Sequence, residues 1–97
     1  MDSQNKVQLL SAASATGSWV EVTKGGRYNF EATATNWNSA SAVLERSPDA
    51  GTTSYSVDGT TLTANGGYGG IDLGAGHYRV AITGSPTAVT AALYGVN

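Results

Sequence analysis

From Arg27 to Thr35 the chain alternates strictly, with Tyr28, Phe30, Ala32 and Ala34 on one side and Arg27, Asn29, Glu31 and Thr33 on the other. A period of two belongs to a pleated strand with one buried and one wet face, whereas a helix buries residues at a period of 3.6. The segment His77 to Thr83 repeats the pattern, placing Tyr78, Val80 and Ile82 opposite His77, Arg79, Ala81 and Thr83. Weaker runs of the same kind are Val7–Ser11, Ser18–Thr23, Ser41–Arg46, Thr53–Val57, Thr60–Ala64, Gly70–Leu73 and Thr87–Gly95, each closed by turn residues. The best helical candidate, Asn38–Arg46, is weakened by Ser39, Ser41 and Val43 and stopped by Ser47-Pro48, so it is expected to be a strand.

The turns between these runs set the architecture. Consecutive glycines in Lys24-Gly25-Gly26 accept positive φ, which predicts a hairpin over Trp19–Phe30. Ser47-Pro48-Asp49-Ala50-Gly51 joins the Leu44 strand to the Tyr55 strand, with Pro presetting φ and Gly closing the turn. Asp58-Gly59 and Gly84-Ser85-Pro86 supply two more turns. Short strands at about ten-residue spacing predict an all-β antiparallel β-sandwich or jelly roll of about eight strands without significant helix.

Length allows one domain: a chain of 97 residues buries roughly two-thirds of the surface it exposes when unfolded. Residues 17–97 are expected to form the sandwich, with residues 1–16 as an N-terminal arm or first edge strand. Val7, Leu9 and Leu10 in that arm are too apolar for a free tail and should pack on the sandwich or on a partner. The N-terminus has no basic region followed by a long apolar run, and no segment reaches the roughly 20 apolar residues of a spanning helix, so the chain is expected to be made as a soluble protein.

Only 12% of residues are charged and the net charge is −2. With five scattered basic residues the chain offers no footprint for nucleic acid or an anionic membrane. Cysteine is absent, which removes disulfides and thiolate metal sites.

Candidate chemistry is sparse. His77, the sole histidine, could serve a triad with Asp72 and a Ser or Thr, but no G-x-S-x-G elbow is present and His77 falls on the outward face of its strand. Asp49, Asp58 and Asp72 sit in separate segments without the spacing of a calcium loop. Glu21, Glu31 and Glu45 lie on different strands, on their outward faces. These patterns favour a non-enzymatic protein without cofactor or metal.

The stretch NGGYGGIDLGAG, residues 65–76, contains no G-x-G-x-x-G and opens no helix, so it lacks the anion-binding helix N-terminus of a phosphate loop. It is expected to be a flexible turn carrying Tyr68 outward, followed by a short strand over Ile71–Leu73 and a bend at Gly74-Ala75-Gly76. Trp37, in a polar turn, is either a binding ring or a lid folded back on the sandwich; Tyr68, between glycine pairs, favours binding. Trp19 is expected to be structural. The Ala-rich last strand, with Ala88, Ala91 and Ala92, either admits a neighbouring subunit closely or is a thin part of the core.

The succession GSWVEVTKGGRYNFEATAT, AVLERSPDAGTTSYSVDGTTLTANGG and IDLGAGHYRVAITGSPTAVTAALYGV resembles small β-sandwich structural proteins of tailed bacteriophages over residues 17 to 96. The resemblance rests on a Leu-x-Arg-Ser-Pro-Asp-x-Gly hairpin and an Ala-Gly-x-Tyr-Arg-Val strand. It implies a virion component made in the host cytoplasm, most like a decoration or cement protein that binds the major capsid protein on the head surface, commonly as a homotrimer. Tail or fibre association, and carbohydrate binding through Trp37 and Tyr68, are the alternative expectations. Val7, Leu9, Leu10, Trp37 and Tyr68 are the candidate partner contacts.

Overall fold

The computed structural model describes residues 6–95, and within them the chain is all β. Its eight strands are β1 (Lys6–Ala13), β2 (Val20–Val22), β3 (Gly26–Thr33), β4 (Ser41–Ser47), β5 (Tyr55–Ser56), β6 (Gly66–Leu73), β7 (Gly76–Thr83) and β8 (Val89–Gly95). They form two antiparallel sheets, ordered β1-β8-β3-β6 and β2-β7-β4-β5. Strands pair so that β1 meets β8, β2 meets β7, β3 meets β6 and β4 meets β5. That nesting is one long hairpin with its tip at β4–β5, rolled so that β3 also meets β8 and β4 also meets β7. The result is a jelly roll.

Alternation builds the core as expected. Tyr28, Phe30 and Ala32 of β3, Tyr78 and Val80 of β7, Ala42 and Leu44 of β4, and Val89, Ala91 and Leu93 of β8 are buried between the sheets. Asn38 and Ser39 both take positive φ just before β4, which ends any helical run there.

The rolled connectivity corrects the expected hairpin over Trp19–Phe30. β2 and β3 lie in opposite sheets, so Lys24-Gly25-Gly26 is an arch across the sandwich. A second arch, Gly74–Ala75, carries β6 to β7, and the two stack: a Cβ on Gly25 would stand 3.2 Å from the Leu73 carbonyl oxygen and 3.3 Å from the Ala75 nitrogen. Period-two patterning specifies which face is buried but not which sheet a strand joins, and hence the misreading.

Three further expectations change. Thr60–Ala64 is not a strand; Leu62 alone bridges Ala42, and Thr60 is buried beside it. The Thr60 hydroxyl accepts from the Leu44 amide at 3.2 Å and donates to the Val57 carbonyl at 2.7 Å. It thereby replaces ladder bonds that the Asp58-Gly59 bulge interrupts. The flexible turn expected to carry Tyr68 is instead the first part of an eight-residue strand, β6, which continues through Ile71–Leu73. Leu9 and Leu10 are both buried, at 5% exposure each, which corrects their reading as partner contacts.

Two adjacent inward side chains require a break in the pleat. Gln8 pairs with Ala92 and Leu10 with Ala91, so Leu9 is the extra residue of a bulge. The Gln8 side-chain amide donates to the Leu10 carbonyl at 2.6 Å and the Ala91 carbonyl at 3.1 Å, holding that bulge. The described part of the expected arm is thus the first edge strand, with Val7 half-buried against the core; residues 1–5 lie outside the described residues.

Candidate functional site

An eight-stranded sandwich has four edge strands, here β1, β6, β2 and β5. Each edge exposes unpaired main-chain N–H and C=O groups, and natural proteins shield them by shortness, charge or bulges. β2 has three residues and β5 two. β1 opens on Lys6 and carries two register breaks. β6 is as long as β1, but Gly66, Gly67, Gly69 and Gly70 leave its first five residues with Tyr68 as their one side chain.

Local geometry explains the glycines. At Gly67 a Cβ would lie 2.5 Å from the Phe30 carbonyl oxygen, so β3 and β6 approach more closely than a side chain permits. Gly70 has φ of 65°, at a register break in which two residues of β3, from Tyr28 to Phe30, oppose the three-residue step from Ile71 to Tyr68. Its amide donates to Asn29 Oδ1 at 3.0 Å. The outcome is an ordered, nearly bare edge in place of the flexible turn expected there.

Tyr68 is paired with Phe30 and therefore lies on the inner side of β6, at the margin of the sandwich. Its hydroxyl donates to the Thr61 carbonyl at 2.7 Å, and the residue remains 38% exposed. Trp37 is half-buried against the core. Its indole Nε1 donates at 2.8 Å to Asn65 Oδ1, which also accepts from the Ala34 amide at 2.9 Å. Both rings are thus anchored to the segment that leads into β6, and the lid reading of Trp37 prevails. Of the five candidate contacts, Tyr68 alone is an exposed large side chain.

The other constellations do not assemble. Asp72 stands on β6 and forms an ion pair with Arg27 at 3.5 Å, both strongly exposed, while His77 stands on the opposite sheet between Glu21 and Ser47. No cluster of three or more carboxylate or imidazole groups occurs among the described residues. Glu45 is engaged by Arg79 at 2.8 Å, and the Arg79 guanidinium lies 4.4 Å from the Trp19 ring centre, so these three cover the outer face of the second sheet. This agrees with a structural Trp19 and with the outward side of β4 and β7.

Arg46 forms a separate pin at the arch end. Its Nε donates to the Tyr78 hydroxyl at 3.0 Å, one terminal nitrogen to the Tyr55 hydroxyl at 3.1 Å and the other to the Ala75 carbonyl at 2.8 Å. The tyrosine hydroxyls raise the guanidinium pKa further above its ordinary value. Burial pushes the Tyr78 phenol up, against the opposing pull of Arg46. Three bonds commit this cation to the fold, so it is not a free anion-binding group. Sequence reasoning missed both the pin and the β6 edge, since neither has a side-chain pattern of its own.

Comparison with protein-family models, with curated proteins and with solved structures finds no match.

Proposed function

We propose that this jelly roll is a bacteriophage virion structural protein that decorates the head, binding the major capsid protein through the open β6 edge and reinforcing the lattice. The observation that carries the reading is the asymmetry among the four edges: three are short, charged or doubly bulged, and β6 is long and, over its first five residues, nearly free of side chains. An extended segment of a partner can add to such an edge by main-chain hydrogen bonds, with few side chains to displace and no dependence on charge steering. The near-neutral, Ser- and Thr-rich surface suits adhesion of that kind. The resemblance over residues 17 to 96 supplies the choice of partner and the expectation of a homotrimer.

Co-sedimentation of the purified protein with undecorated, expanded capsids of the encoding phage tests the proposal. Saturable binding that raises the thermal stability of the capsids is expected. Absence of the protein from the capsid pellet would refute the decoration role.

A further inference from the structure

The outer face of the β1-β8-β3-β6 sheet carries a second feature, which runs out to the β6 edge at Gly66–Gly69. Cross-strand register arranges its side chains in rows. Lys6, Tyr94 and Asn29 form one row, Gln8, Ala92, Glu31 and Gly67 the next, and Thr90 and Thr33 a third. The middle row sinks, because Ala92 contributes one methyl and Gly67 nothing. Two hollows, of about 420 and 140 Å³, adjoin at Glu31 and Thr33, which line both, and together make a furrow across the strands that those side chains divide. Three interstrand steps give it a length of roughly 14 Å.

Polar groups line the furrow and are already oriented. Gln8 spends its amide N–H groups on the Leu10 and Ala91 carbonyls, which leaves its oxygen as an acceptor. Asn29 does the reverse: its oxygen accepts from Gly70, which leaves its N–H groups as donors. The Thr90 hydroxyl accepts from the Ala12 amide at 3.2 Å and keeps its own proton to donate. Glu31 stands between them, its carboxylate making no hydrogen bond to any described residue. Tyr94 supplies an aromatic wall, half-buried and faced by the Lys6 ammonium at 5.8 Å.

We infer that this furrow is a binding site for a neutral oligosaccharide. Alternating fixed donors and acceptors match vicinal hydroxyls, each of which both donates and accepts, and an aromatic wall matches the apolar C–H face of a sugar ring. Orientation by backbone bonds removes much of the ordering cost of such a contact. A phosphate backbone fits less well, since Glu31 and the net charge of −2 disfavour it. Of the Trp37 and Tyr68 pair considered from sequence, Tyr68 lines the β6 end of the furrow and Trp37 does not.

Amide chemical-shift mapping of the full chain, titrated with maltohexaose, cellohexaose, xylohexaose and N-acetylchitohexaose at millimolar concentrations, tests the inference. For at least one of these, shifts should gather on Asn29, Glu31, Gly67, Ala92 and Tyr94. Glu31→Ala and Tyr94→Ala should each weaken that binding about tenfold or more, with circular dichroism and thermal midpoint showing an intact fold. No shifts with any of the four sugars, shifts centred on Trp37, or unchanged affinity in both variants would overturn it.

Discussion

Tyr28 and Tyr78 do the same work in the two stacked arches: each hydroxyl donates to the carbonyl four residues back, Tyr28 to Lys24 at 2.6 Å and Tyr78 to Gly74 at 2.7 Å. Each ring is buried at the start of its strand and its hydroxyl ties the strand to the connection that enters it, as in a tyrosine corner. The parallel phrasing of Gly26-Arg27-Tyr28 and Gly76-His77-Tyr78 in the sequence has this physical cause. Tyr78 also accepts from the charged Arg46. Tyr28→Phe is therefore expected to cost about 1 kcal/mol and Tyr78→Phe about 2 kcal/mol in urea unfolding, because the second leaves a partly buried charge-assisted bond unmade as well. Equal losses would show that Arg46 contributes nothing through Tyr78.

Thr60 is completely buried, and its hydroxyl satisfies one amide and one carbonyl of the interrupted ladder. Thr60→Val keeps the shape and strands both backbone groups, so a loss of roughly 2–4 kcal/mol is expected. Thr60→Ser keeps the hydroxyl and should cost about 1 kcal/mol for one methyl. Chemical denaturation of the two variants measures the difference.

Gly51 and Gly59 both hold positive φ, 102° and 74°. A Cβ at Gly51 would also stand 2.8 Å from the Trp19 indole nitrogen, whereas at Gly59 it would meet open space. Gly59→Ala should then cost only the backbone strain, about 1–2 kcal/mol. Gly51→Ala should cost more and should change Trp19 fluorescence, since the ring must move off Arg79.

Asp49 caps the Ser47–Thr53 turn. Its carboxylate accepts from the Thr53 amide at 2.7 Å and the Thr53 hydroxyl at 2.8 Å, and these two bonds hold its pKa below the ordinary carboxylate value. A lowered folded-state pKa contributes stability that is present above the unfolded pKa, near 4, and is lost as pH falls through the folded one. Protection of the Thr53 amide, measured against its intrinsic exchange rate, is expected to fall on acidification below about pH 4, and Asp49→Asn should remove that pH dependence. The residue is fully exposed, so the effect should be local to the turn.

How much of this was legible in the sequence follows from what side chains can report. The strict alternation in β3 and β7 gave away both strands and the faces they bury, and Ser47-Pro48-Asp49-Ala50-Gly51 marked the one true hairpin. The arches look like hairpins or bends in the sequence, because a glycine turn has the same composition whether it joins neighbours or crosses the sandwich. Leu9 and Leu10 hid their common burial behind a bulge that depends on Gln8. β6 was invisible over Gly66–Gly70, since a strand paired by backbone alone has no side-chain period, and with it went the edge on which the proposed function rests.

The most direct test of that function is amide hydrogen exchange of the protein free and bound to capsids. Addition of a capsid strand to β6 predicts that the amides of Gly66 to Leu73 that point away from β3 exchange slowly only in the bound state, while those of β1, β2 and β5 are unchanged. Unaltered exchange across Gly66–Leu73 in capsid-bound protein would contradict the account.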